Sequence, residues 1–191
     1  MSFALPLGVG VTSTGEYLDI EVKSLQKSKD AIDALNKTMT EGFHVSGYVL
    51  LPDDSKKGMT LVGGADYKIT VNEESGFVPE KDSWLGFETE FYNKSEKIET
   101  VKTGKHGGTF MDIKPLIYEF KSCFNEDDPA SSIICLRLAA GSKNNLKPDL
   151  VMEEAFKALG LEYNRSYLSI ERTELLDEKM TPLGDLGEVI E

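Results

Sequence analysis

"SSIICLRLAAGSKNNLKPDLVMEEAFKALG", residues 131–160, decides how this chain folds. Its first ten residues are a nearly unbroken apolar run, which reads as a strand buried on both faces. Residues 148–160 open on Pro148, place Val151, Met152, Ala155 and Leu159 three and four apart, and close on Gly160. That is an amphipathic helix with its start and stop signals in place. The neighbours supply the rest of the order. Downstream, "SYLSIERTELL" (166–176) reads as a strand. Upstream, "ADYKITV" (65–71) and "KIETVKT" (97–103) do so too, and "PEKDSWLGFETEFY" (79–92) sets Trp84, Phe87 and Phe91 at helical spacing behind Pro79. "GKHGG" (104–108) is a turn, and "TFMDIKPLIYEF" (109–120) leaves it extended with a short helical end. The sum is strand, helix, strand, strand, helix, strand, the split βαβ or ferredoxin-like order.

Ahead of this unit the pattern is shorter. Phe3, Leu5, Leu7 and Val9 alternate, "TSTGE" (12–16) turns, and "YLDIEV" (17–22) alternates again, so a hairpin is expected. "KSKDAIDALNKTM" (27–39) is helical, with Ala31, Ile32, Leu35 and Met39 on one face, and "FHVSGYVLL" (43–51) reads as a strand. These are the last four elements of a second ferredoxin-like unit, so an initial strand and helix are expected to precede them. The fold class is α+β, two ferredoxin-like halves with the first incomplete. The expected divisions are 1–55, 56–176 and a frayed acidic tail, 177–191. The opening apolar residues 3–22 would then lack part of their own half, so a homodimer through them is expected.

The chain has 191 residues and a formal net charge of −12. Such a surface disfavours general nucleic-acid affinity but leaves room for a local basic loop. No apolar run approaches the roughly 20 residues of a membrane span. "MSFALPLGV" lacks the basic start of a secretion signal, and a cytoplasmic location is expected. Cys123 and Cys135 read as reduced, buried thiols, and neither a metal site nor a cofactor is expected.

The polar loop inside the opening stretch is the first candidate site. Ser142, Lys143, Asn144, Asn145 and Lys147 cluster between a strand and a helix start, where side-chain and backbone donors suit an anion. Lys105 and His106 sit in a glycine-flanked turn that could approach RNA, although hairpin-tip glycines explain the pattern more simply. Arg137 and Arg172 fall within strands, either on an RNA-binding sheet face or paired with nearby carboxylates. No catalytic set is readable.

Four segments carry a resemblance: "SFALPLGVGVTSTGEYLDIE" (2–21), "MDIKPLI" (111–117), "GSKNNLKPDLV" (141–151) and "IERTELL" (170–176). They resemble a bacterial family of radical-SAM-associated proteins, a domain of unknown function whose members begin earlier, with a basic strand and helix. Gly8 stands where the family usually has proline. The resemblance implies a non-catalytic accessory or binding module that works with a radical-SAM protein, fused or in trans. Such a module would present a substrate, RNA or a ribosomal component. Two other readings stay open: a metal-independent RNA-processing nuclease using His106 as base, and a purely structural interaction domain. The cysteine triplet of a radical-SAM enzyme is absent from the sequence.

Overall fold

The computed structural model describes the chain except residues 105, 106, 129 and 130, and gives the backbone alone at 102–104 and 107–109. Its centre is a five-stranded mixed sheet. The strands are β4 (Val62–Val71), β7 (Ile117–Cys123), β8 (Ile133–Ala139), β9 (Leu168–Asp177) and the short β2 (Val11–Ser13). The order is β2-β9-β4-β8-β7, with the last four antiparallel and β2 parallel to β9. A helical segment lies between β4 and β7: α3 (Lys81–Gly86) running into a π-helical stretch, Phe87–Asn93. A second helix, α4 (Pro148–Ala158), lies between β8 and β9. The hairpin of β5 (Glu99–Gly104) and β6 (Gly107–Asp112) is a separate sheet. The architecture is α+β.

Alternation decides which sheet face is covered. Ile69, Ile134, Leu136 and Phe120 are buried, as are Trp84, Phe87 and Phe91 of the helical segment and Val151, Met152, Ala155 and Phe156 of α4. The helices therefore cover that face. The alternate residues Asp66, Lys68, Cys135, Arg137, Glu119 and Lys121 line up across β4, β8 and β7 on the other face. Phe156 sits where helices and sheet converge, its ring 5.1 Å from Phe87 and 5.5 Å from Tyr163. Gly160 ends the helix with φ +70°, as its place after the apolar stripe predicts.

Several expectations are corrected. The hairpin of residues 3–22 shrinks to a two-residue ladder between β1 (Ser2–Phe3) and β3 (Leu18–Asp19). Gly10, at φ +76°, turns the chain, and Val11–Ser13 leaves to join β9. "FHVSGYVLL" forms no strand: only Leu50 makes a bridge, to Glu188. The helix at 79–92 is present but starts at Lys81, so Pro79 precedes it rather than opening it. The helical piece of 109–120 sits mid-segment, a 3-10 turn at Lys114–Leu116. The tail is anchored rather than frayed. Ser28 donates to the Ile190 carbonyl (2.9 Å), Glu188 and Leu50 exchange two bonds, and Leu183 is buried. The thiols are less buried than expected: Cys123 is exposed and Cys135 half-buried.

The opening segment is a clasp on the sheet. Arg172 of β9 is 2% exposed. Its guanidinium donates to both carboxylate oxygens of Glu16 (2.8 and 2.6 Å) and to the carbonyl of Leu5 (3.0 Å). A planar fork meeting a carboxylate two-pronged is the strong form of this interaction. A Cβ on Gly15 would lie 2.3 Å from the Thr173 carbonyl oxygen, so only glycine lets the segment approach β9 this closely. Asp19 accepts the Gly58 N–H at 2.8 Å and fixes the start of α2 (Gly58–Leu61). Burial and the Glu174 carboxylate hold the Tyr17 phenol far above its ordinary range.

Candidate functional site

The loop after β8 is shaped by its backbone. Ala140 donates to the Gly63 carbonyl (3.3 Å) and Leu146 to the Ala139 carbonyl (2.9 Å), so residues 141–145 bulge between two fixed points. Leu146 is buried and pins the return. Gly141 has φ +111°, and a Cβ there would lie 2.3 Å from the Val62 carbonyl oxygen, which leaves room for glycine alone. Under the bulge lies a cleft of about 210 Å³, lined by Val62, Gly63, Tyr118, Ala140, Lys143, Asn144, Glu178 and Met180.

The cleft's lining mixes polar and apolar groups. Lys143 Nζ donates to Glu178 Oε1 at 2.5 Å. That bond holds the ammonium above its ordinary pKa and the carboxyl below its own. The pair is exposed, so it positions more than it stabilises. An ammonium has three donors, and the Asn144 amide and Tyr118 hydroxyl add to them. An acceptor-rich group such as a phosphate, a sugar or a carbonyl suits this lining. Gly63 lies close against the Glu178 backbone, where a Cβ on it would lie 2.8 Å from Glu178 Cα.

The candidate residues separate into distinct places. Lys143 and Asn144 line the cleft, whereas Ser142, Asn145 and Lys147 lie exposed on the loop outside it. The first turn of α4 holds Asp149, which pairs with Arg165. Arg137 is on the helix-free face, its Nε and Nη2 on Asp66 at 2.7 and 2.8 Å, with Glu119 opposite. The Asp66 bond raises the Arg137 pKa. Arg172 is buried on Glu16, not on the neighbouring Glu171 or Glu174 that its sequence position suggests. Lys105 and His106 lie outside the described residues. Glu178, Tyr118 and Met180 were not legible as site residues, since only the sheet's closure brings them to the loop. Among the described residues no cluster of three or more His, Cys, Asp or Glu could hold a metal ion. No helix among them is long and apolar enough to cross a membrane.

Comparison with known proteins gives one match. Residues 1–148 match the sequence model of a family described as an uncharacterized protein conserved in bacteria, DUF2344. No curated protein matches the chain, and no solved structure does.

Proposed function

The chain belongs to the DUF2344 family of uncharacterized bacterial proteins, and from that premise we propose that it is a non-catalytic binding module. It works with a radical-SAM protein and presents a substrate, RNA or a ribosomal component. The strand order β9-β4-β8-β7, with helical segments after β4 and after β8, supports reading residues 56–176 as a ferredoxin-like unit. In such units the helix-free face is a common recognition surface. The observation that carries the reading is the cleft at the end of that face. Lys143, Asn144 and Tyr118 line it, and Lys143 is held there by the exposed Glu178, whereas the three arginines are held elsewhere, Arg137 by Asp66, Arg165 by Asp149 and Arg172 by Glu16. The radical-SAM partner rests on the family resemblance of the opening segment. The chain also self-associates, in this reading, through residues 3–22, where Phe3 and Leu18 are exposed side by side.

Fluorescence anisotropy with a labelled oligouridylate tests the substrate. Saturable, salt-sensitive binding that weakens about tenfold or more in Lys143→Glu, the scale of a lost charged hydrogen bond, supports RNA. No binding at low salt removes RNA from the reading and leaves the protein partner. Binding unchanged in Lys143→Glu moves the site away from the cleft.

A further inference from the structure

The two cysteines come together on the helix-free face of the sheet, a juxtaposition that their sequence spacing hides. β7 and β8 are antiparallel neighbours, with Lys121 opposite Cys135 and Cys123 opposite Ile133. Cys123 and Cys135 therefore share a face as diagonal neighbours. The residues that alternate with them, Phe120, Ile134 and Leu136, are buried beneath the helices. Cys123 is exposed at the last position of an edge strand, and Cys135 is half-buried beside it. Burial first, and then the Cys123 thiol, hold the Cys135 thiol above its ordinary pKa, so the two sulfurs lie within electrostatic reach of each other.

The diagonal spacing separates two chemistries. Cβ atoms at such positions lie roughly 7 Å apart, whereas a disulfide needs about 3.5–4.5 Å. A direct S–S bond would have to pull the strands out of register. A metal ion between the sulfurs replaces one bond of about 2.05 Å by two of about 2.3 Å, and so adds about 2.5 Å of reach. The number of ligands then selects the metal. Among the described residues no group of three or more His, Cys, Asp or Glu could hold a metal ion. A structural zinc takes four such ligands, whereas two thiolates complete the linear coordination of Cu(I), a soft cation suited to sulfur. A Cu(I) held by two thiolates carries a net charge of −1. Cys135 stands between two cations that offset it, Lys121 opposite on β7 and Lys68 opposite on β4. Lys121 is also paired with Glu119, and Lys68 already works against the rise in the Cys135 pKa.

We infer that Cys123 and Cys135 form a two-coordinate site for Cu(I). Each thiol releases its proton as the metal binds, so one Cu(I) and two thiols give one bis-thiolate complex and two protons. Cys123, the more exposed of the two, is the point of entry. The site lies at the other end of β7 from Tyr118 and the cleft, and it stands whether or not the cleft binds RNA.

Anaerobic titration of Cu(I) into the reduced chain, in competition with a chromogenic Cu(I) chelator, tests the site. The expected result is one Cu(I) per chain withdrawn from the chelator, and one metal per monomer by native mass spectrometry. Cys123→Ser and Cys135→Ser should each weaken binding by more than the roughly 10–100-fold that loss of an outer-shell contact costs, with circular dichroism unchanged. Because Cys123 is exposed, Cys123→Ser keeps the test open if Cys135→Ser fails to fold. No withdrawal of Cu(I), full binding in a folded single variant, or one Cu(I) shared between two chains overturns the inference. So does Zn(II) held as tightly as Cu(I), because further ligands would then be in reach. A chain that loses two hydrogens to an intramolecular disulfide on mild air oxidation while folded also overturns it, because the sulfurs would then meet directly.

Discussion

Arg172 shows how a single residue read from sequence can change meaning in the fold. Its strand position suggested either a surface contact or a nearby carboxylate. The partner is Glu16, 156 positions away, and the pair ties the opening segment to β9. The two partners are unequally buried, the Arg172 side chain being 2% exposed and that of Glu16 30%. Removing Glu16 strands a buried cation, whereas removing Arg172 leaves a carboxylate that water can reach. Glu16→Ala is therefore expected to cost about 3–5 kcal/mol, the scale for breaking a buried pair, and Arg172→Met distinctly less. Urea unfolding of both variants checks the order; the reverse order would mean that the clasp is held by the backbone contacts of residues 5 and 6. Tyr163 offers a second test. Burial first, then the Asp149 carboxylate, pushes its phenol from 10.0 up to about 12. A raised folded pKa means that the unfolded chain loses the proton first. The stability Tyr163 contributes is thus full below pH 10 and is lost as pH rises to about 12. Thermal melts across that window should fall less steeply in Tyr163→Phe; an identical slope would show that Tyr163 ionises normally in the fold.

At the scale of elements, periodicity was a good guide wherever an element buries its own stripe. The helix opened by Pro148 and closed by Gly160 was legible because its apolar spacing and both punctuation residues agree. The strand at 133–139 was legible as a strand but not as one buried on both faces: Ile134, Leu136 and Leu138 lie in the core, whereas Ile133, Cys135 and Arg137 alternate with them and are half-buried on the helix-free face. "FHVSGYVLL" failed for a physical reason: alternation predicts a strand, but a strand exists only with a partner, and residues 46–49 have no ladder partner among the described residues. The parallel seat of β2 on β9 was equally invisible, since it depends on a glycine turn and a buried ion pair and not on local pattern. Phe156, four residues after Met152, joins α4 to Phe87 and Tyr163. Phe156→Ala should cost about 3–5 kcal/mol, and the half-buried Leu159→Ala about 2 kcal/mol, the low end for such truncations. Chemical denaturation decides between them; a larger loss at Leu159 would mean that the end of α4 carries more of its packing than the centre.

For the whole molecule, charge and exposed apolar surface point to partners. The chain carries −12 overall, and its candidate cleft holds a lysine on a surface otherwise rich in acid. Phe3 is 60% exposed and Leu18 43%, adjacent on the β1–β3 ladder. Sedimentation over a wide concentration range should show reversible dimers that Phe3→Ser abolishes; a strict monomer would remove residues 3–22 as a self-association surface. Of the candidate site, the loop residues were legible as donors between a strand and a helix. Their grouping with Tyr118, Met180 and Glu178 was not, because three separate segments meet there only when the sheet closes. The central claim, a binding module that serves a radical-SAM protein, is tested most directly by isothermal titration of this chain with the radical-SAM protein of the same organism. A saturable complex of fixed stoichiometry that forms without catalytic turnover by this chain is expected; no heat of binding at any concentration or salt, with both proteins folded, would mean that the chain serves no such partner.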